Sequence, residues 1–272
     1  GSQNGVCAVA FAGKGQVVGG CSNGEVRRWK IEDGQQQGPT MKASDWVCSV
    51  VVSQDGRWIV TGDNSHKAIL WNAATHEKVH EFAGHKNIVM GVDISSDGTK
   101  LATADGVYAR IFSFPSGDKL LPSLPHDYVA AVKFSPDGSR LATVSRVNGF
   151  RVYSTVDGNI LFDSEWSICE NQSRVSIASN GRFIACAAGS LVSLWDCVSH
   201  EQIGSIISHT TEVRWVALSP SGRYLACGNG KNITIHDLRD VLPLSYFDHA
   251  VGVHPLMKRA SLTIIMLFLC PS

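Results

Sequence analysis

The sequence has no excess of charge of either sign: Lys plus Arg and Asp plus Glu each number 24 in 272 residues. Without such an excess there is no long-range pull toward nucleic acid or an anionic membrane, so neither is expected as a partner. Charged residues are also scarce, at 18% against roughly 25% in ordinary soluble domains. With 44% hydrophobic residues, that scarcity argues against a disordered chain. A coiled coil is excluded too, because no segment sustains a helical period. No C-x-x-C pair occurs, and the eight cysteines (Cys7, Cys21, Cys48, Cys169, Cys186, Cys197, Cys227 and Cys270) are scattered. Most lie in apolar runs such as Phe183–Ala187, which reads as buried free thiols in a reducing compartment and not as a disulfide scaffold. No signal segment follows Gly1-Ser2, and residues 1–4 read as a tag or leader. The apolar stretch Ala260–Cys270 is eleven residues long, short of the roughly 20 that a spanning helix needs. A cytoplasmic or nuclear location is the expectation.

What the chain does have is self-similarity at one period. A turn triplet closing on glycine recurs at Gly15, Gly56, Gly98, Gly138, Gly181 and Gly222, at spacings of 41, 42, 40, 43 and 41. A second landmark follows each glycine by 14 or 15 residues: Trp29, Trp71, Phe112, Tyr153, Trp195 and, as the exception, His236. A third precedes three of the glycines by 12 or 13 residues, as His85, His126 and His209. Within a unit, apolar residues alternate with period two. Val129–Phe134, Arg140–Val144, Phe150–Tyr153 and Asn159–Phe162 predict four short antiparallel strands joined by Gly, Asp, Asn and Pro turns.

Gly84-His85, Ser135-Pro136-Asp137-Gly138 and Trp195-Asp196 together resemble the WD-repeat pattern, and the resemblance covers roughly residues 5–245. It implies an all-β, WD40-type β-propeller of six four-stranded blades plus a degenerate or truncated seventh. The blades are expected near 5–41, 42–83, 84–124, 125–165, 166–207 and 208–245, followed by an irregular apolar tail over 246–272. In that tail His249, Ala250–Val253 and Leu262–Phe268 suggest a partial seventh blade, with the chain one part of a longer polypeptide as the alternative. The family's buried tetrad (Asp, His, Ser or Thr, Trp) is incomplete in most units, so apolar stacking of blades is expected to carry more of the stability. Five residues beyond the turn glycine stand Thr61, Thr103, Thr143, Cys186 and Cys227, with Cys21 six beyond. Cysteine there reads as a small structural substitute.

Two patterns mimic catalytic motifs. His76-Glu77-Lys78-Val79-His80 spells H-E-x-x-H, but in a strand its histidines stand about 13 Å apart, too far to share one zinc. Gly20–Gly24 spells G-x-S-x-G, yet a strand follows where the hydrolase motif needs a helix. Gly228-Asn229-Gly230 reads as a turn, and Asn171 and Asn232 head sequons that glycosylation would not reach without a signal peptide.

In the propeller reading, Trp46, Ile88, Tyr128 and Glu212 stand where the inner strands begin, with Ser49, Gly91, Ala131 and Trp215 three residues on. Aromatics at a channel rim are typical interaction hot spots. Candidate partner-binding residues are therefore Trp46, Tyr128 and Trp215, with Arg146, Arg174 and Arg214 offering bidentate recognition of carboxylate or phosphate. The alternative for Trp46 and Trp215 is simple packing between blades. The expected function is a non-catalytic protein–protein scaffold, monomeric or part of a larger assembly, with no cofactor and no metal. The competing reading is small-ligand binding or hydrolysis at the channel mouth.

Overall fold

A computed structural model describes residues 5–12, 15–164, 175–219, 221–229 and 232–247. Blade one comprises β1 (Val6–Phe11), β2 (Gln16–Cys21), β3 (Glu25–Lys30) and β4 (Met41–Lys42). Blade two follows with β5 (Val47–Val52), β6 (Trp58–Asp63), β7 (Ala68–Asn72) and β8 (Lys78–Phe82). Blade three holds β9 (Gly91–Ile94), β10 (Lys100–Ala104), β11 (Tyr108–Ser113) and β12 (Leu124–Pro125). Blade four holds β13 (Val129–Phe134), β14 (Arg140–Ser145), β15 (Phe150–Ser154) and β16 (Ile160–Ser164). Blade five holds β17 (Val175–Ser179), β18 (Phe183–Ala188), β19 (Leu191–Asp196) and β20 (Gln202–Ser208). Blade six has three strands among the described residues: β21 (Val213–Leu218), β22 (Tyr224–Asn229) and β23 (Asn232–Asp237). All pairings are antiparallel in chain order, as expected of a propeller, and each inner strand abuts the next from β1 to β21.

The turn that sets the period is held by its own side chains. Ser53, Ser95 and Ser135 each donate a hydroxyl to the aspartate two residues on and accept an amide five residues on. The serine hydrogen bond, followed by a backbone amide, holds Asp55 and Asp97 down to about 2. Gly56, Gly98 and Gly138 take φ between 67° and 72°, a left-handed conformation that glycine adopts without strain.

Alternation along the central strands selects a neighbour, not core against solvent. Ile59 joins a buried cluster with Val18 and Val26 of blade one, whereas Val60 joins one with Leu101 and Phe112 of blade three. Leu101 and Ala102, then Leu141 and Ala142, divide in the same way between successive clusters. A further cluster joins Phe183, Val192 and Leu194 of blade five to Val213, Leu225 and Cys227 of blade six. Nearly every residue of β6, β10, β14 and β18 is therefore buried. Inner strands approach closely enough to need a glycine: a Cβ at Gly91 would lie 3.0 Å from Ala131 Cα. Buried Asp93 crosses the same junction, accepting from Phe134 N (2.8 Å) and Lys133 Nζ (2.7 Å).

After β23 the described residues form two 3-10 turns where the chain is expected to run on as a fourth strand. Asp237 caps a single 3-10 turn over Leu238–Asp240, and Pro243, which has no amide to donate, precedes a second over Leu244–Tyr246. Leu238 and Leu242 anchor this segment in the blade-five cluster, and Tyr246 donates its hydroxyl to Asp196 Oδ2 (2.8 Å). The suggested seventh-blade strands lie beyond Phe247, outside the described residues.

The buried polar set is incomplete, as expected, and differs from blade to blade. Trp71 Nε1 donates to Thr61 Oγ1 (2.9 Å) in blade two, which has no loop histidine. In blade three, His85 Nδ1 donates to the Phe82 carbonyl, leaving Nε2 to accept from Thr103 (2.9 Å), and Phe112 stands at the aromatic place. In blade four, His126 Nδ1 meets Thr143 Oγ1 at 2.7 Å and Tyr153 donates to Pro125 O. One expectation needs correcting. Val17 pairs with Trp29 as Ile59 pairs with Trp71, so Gly19 takes the hydroxyl place and Cys21 stands two residues further on, level with Asp63. The cause is a turn one residue shorter. A Cβ at Gly19 would lie 2.8 Å from the Trp29 ring.

These histidines predict an acid response. Burial, reinforced by Arg110 and Arg151 respectively, pushes His85 and His126 down to about 4. The folded chain keeps both neutral where an unfolded chain, with histidine near pH 6.5, takes up protons. Their contribution is thus complete above about pH 6.5 and is lost as pH falls toward about 4. Urea denaturation across this window should show stability falling by up to about 1.4 kcal/mol per pH unit for each histidine. The slope should flatten by one such share in His126→Gln.

Candidate functional site

One rim of the ring is built from the loops leading into the inner strands and the turns between second and third strands. In blade two, buried Asp63 accepts amides from Lys67 (3.0 Å) in the turn and Ser44 (3.3 Å) in the loop, binding the two together. Trp46 is fixed above them: its amide donates to Asp45 Oδ1 (2.7 Å) and its carbonyl accepts from Asn64 N (2.9 Å). Asn64 Nδ2 also donates to Asp45 Oδ2 (3.1 Å), and these two bonds, the side-chain one first, lower the Asp45 pKa and keep it anionic.

Blade three repeats the clamp with a buried ion pair. Asp105 accepts Lys86 N (3.0 Å) and Tyr108 N (2.9 Å) and pairs with Arg110 Nη1 (2.7 Å). Burial alone would raise its pKa; the amide hydrogen bonds and Arg110 outweigh that and lower it. At Asp63 burial prevails, and the pKa is raised. In blade four Ser145 takes the carboxylate's place, donating to Asp127 O (2.7 Å) and accepting from the amides of Val147 and Asn148.

Tyr128 sits on this clamp with its amide on Gly106 O (2.7 Å) of blade three and its carbonyl on Arg146 N (3.1 Å). It is 62% exposed, and its φ is +56°. A bulky side chain in a left-handed conformation is strained, and an exposed one is not repaid by packing. Trp46, half-buried Ile88 and Tyr128 thus occupy one place in three consecutive blades, flanked by exposed Asp45, Lys86 and Asp127. Burial pushes the Cys48 thiol of blade two up to about 11, and the charge of Arg146 in blade four opposes that rise.

The remaining candidates are placed differently. Trp215, half exposed, lies within β21 opposite Gly228, at the place of Ser49, Gly91 and Ala131. Its ring stacks on that glycine, where a Cβ would come within 3.2 Å. Val216 and Cys227 face blade five, so Trp215 is on the opposite face of its blade. Arg214 is half buried beside it at a bulge in the β21–β22 pairing, and Arg174 lies outside the described residues. Sequence reasoning missed Asp45 and Asp127; the signal was an acidic residue directly before each aromatic.

The fold takes both catalytic look-alikes apart. His76, in a turn with φ +64°, lies against Arg28 and Gly38 of blade one, whereas His80 on β8 lies against Gly117 of blade three. Gly20–Gly24 is a hairpin turn between β2 and β3, closed by Gly24 N on Cys21 O. Among the described residues no helix is long and apolar enough to cross a membrane.

The family model of the WD domain, G-beta repeat, matches residues 36–72, 76–107, 118–161 and 200–237. The chain is 25% identical over 209 residues to the serine-threonine kinase receptor-associated protein of Mus musculus, covering 74% of this chain and 59% of that protein. It is 29% identical over 212 residues to WD repeat-containing protein SL1-17 of Schistosoma mansoni, covering 73% and 68%. To DNA damage-binding protein 2 of Mus musculus it is 34% identical over 121 residues, or 40% and 26% of the two chains. The chain spans about three fifths of the length of the receptor-associated relatives.

If Tyr128 is held for contact and not for folding, Tyr128→Gly should leave stability unchanged or raise it by up to about 1 kcal/mol, because glycine relieves the left-handed strain. Urea denaturation reads this directly. A loss above about 1 kcal/mol would mark the ring as structural.

Proposed function

Because the chain belongs to the WD40 repeat family, we propose that it acts as a non-catalytic protein-interaction module whose contact face is the rim carrying Trp46, Ile88 and Tyr128. The observation that carries this reading is Tyr128: a large, exposed aromatic on strained backbone, fixed by hydrogen bonds on both sides. Preorganised aromatics suit hot-spot recognition, since little freedom remains to be lost on binding. Asp45 and Asp127 beside them favour a partner segment that combines apolar and basic side chains. A relative named for association with a serine-threonine kinase receptor fits a binding role. The buried free thiols of Cys21, Cys186, Cys197 and Cys227 suit a cytoplasmic or nuclear setting.

Small-ligand binding has less support. A cleft of about 300 Å³ between blades four and five is lined by Lys133, Asp137, Arg140, Asn180 and Val198, on the serine–aspartate turns and apart from the rim aromatics.

The test compares proteins retained from native lysate by the wild type, by Trp46→Ala/Tyr128→Ala and by Val156→Ala, which removes an exposed apolar side chain elsewhere. Partners should be kept by the control and lose at least about tenfold in the double variant, the scale of one hot-spot residue. Identical retention by all three would contradict the assignment of the rim.

A further inference from the structure

In blades three and four the loop before the inner strand, the second strand and the third bring three side chains together: His85, Thr103 and Phe112, then His126, Thr143 and Tyr153. In blades two to four a threonine hydroxyl sits at that point and hydrogen-bonds Trp71, His85 or His126. Blade six keeps the geometry and changes the chemistry. Leu225 pairs with His236 and Cys227 with Thr234, as Ile59 pairs with Trp71 and Thr61 with Ile69, so Cys227 holds the hydroxyl place and His236 the tryptophan place. His209, whose amide donates to Ser190 O (2.8 Å), is the loop histidine. The ligand atoms of His209, Cys227 and His236 all lie within 4.8 Å of one another, and the two imidazole rings meet edge-on with centroids 5.1 Å apart.

We propose that His209, Cys227 and His236 form a zinc-binding site in blade six. The chemistry of the set is specific: one sulfur and two imidazole nitrogens suit a borderline-soft cation and not magnesium or calcium, which take oxygen ligands. The geometry is close to what the ion needs. Zinc–nitrogen bonds of about 2.0 Å and a zinc–sulfur bond of about 2.3 Å place tetrahedral ligand atoms about 3.5 Å apart. Rotation of the two imidazoles supplies the closure from the present spacing. Cys227 is fully buried, and His236 Nε2 is buried with no hydrogen-bond partner among the described residues, a costly state that a metal bond removes.

On binding, the Cys227 thiol releases its proton to solvent as the sulfur–zinc bond forms, and each imidazole gives the lone pair of a neutral ring. Burial lowers the proton affinity of both histidines. Three protein ligands leave one tetrahedral position for water. No C-x-x-C spacing announces the site. Its ligands come from three registers of the repeat, each read singly as structural, and sequence reading expected no metal. H-E-x-x-H, which does look like a zinc motif, has its histidines turned to different blades.

Cobalt(II) titration of the full chain is the test. One equivalent should bind with the intense visible bands of four-coordinate cobalt and a thiolate-to-cobalt band in the near ultraviolet, and zinc should displace it one for one. Cys227→Thr and His236→Trp install residues that other blades carry at these places; both should keep the strand circular dichroism and lose at least about 100-fold in affinity. His80→Gln should bind as the wild type does. X-ray absorption of the wild-type zinc form, which needs no variant, should show one sulfur at about 2.3 Å with nitrogen at about 2.0 Å. A wild type that binds no cobalt, a zinc shell without sulfur, or unchanged bands in folded Cys227→Thr would overturn the proposal.

Discussion

Burial of both faces of blades two to five against their neighbours is the constraint on which the structure depends. A four-stranded sheet of this size cannot hide both of its apolar faces alone, and the central strands β6, β10 and β14 have almost no residue that meets water. Ile59 and Val60, adjacent in the chain, serve different clusters, so one residue of slippage would exchange the partners of a whole strand. The turn hydrogen bonds and the bulges between first and second strands hold that register. The bulges recur at the same place in blades one, two, four and six.

Polar groups have a second task, which is to place the rim. Buried Asp63 and Asp105 gather amides from the loop and the turn of their blades, and Ser145 does the same with a hydroxyl. Such carboxylates are stable only when fully hydrogen-bonded. Their bonds fix the backbone under Trp46 and Tyr128, linking a rigid ring to a surface shaped for contact. Two residues earlier on the second strand lies the buried point of Thr61, Thr103 and Thr143, where blade six carries instead the thiol and two imidazoles proposed to hold zinc.

The six-fold repeat, the four-stranded unit and the family were legible because the turn glycine and the aromatic landmark recur at nearly constant spacing. Double-sided burial was less so, since period-two alternation identifies two faces without saying that both are covered. Cys21 was misplaced because counting from a glycine does not detect a turn shortened by one residue; strand pairing does. That residues 238–247 turn instead of extending as a strand depends on Leu238 and Leu242 reaching the blade-five cluster, a long-range contact that the repeat spacing does not signal. At the rim, the aromatics could be found by alignment on the repeat. The left-handed backbone of Tyr128 and the opposite-facing position of Trp215 could not, because the first depends on hydrogen bonds to Gly106 and Arg146 and the second on the pairing of β21 with β22.

The central claim is that the blades are stable as a stack and not singly. Native-state hydrogen exchange measures this most directly, through the opening free energies of amides in β6, β10 and β14. The account predicts one common value for the three strands, equal to the global unfolding free energy and responding to denaturant with the same slope. Separate values, each well below the global one, would show blades opening independently and would contradict the claim.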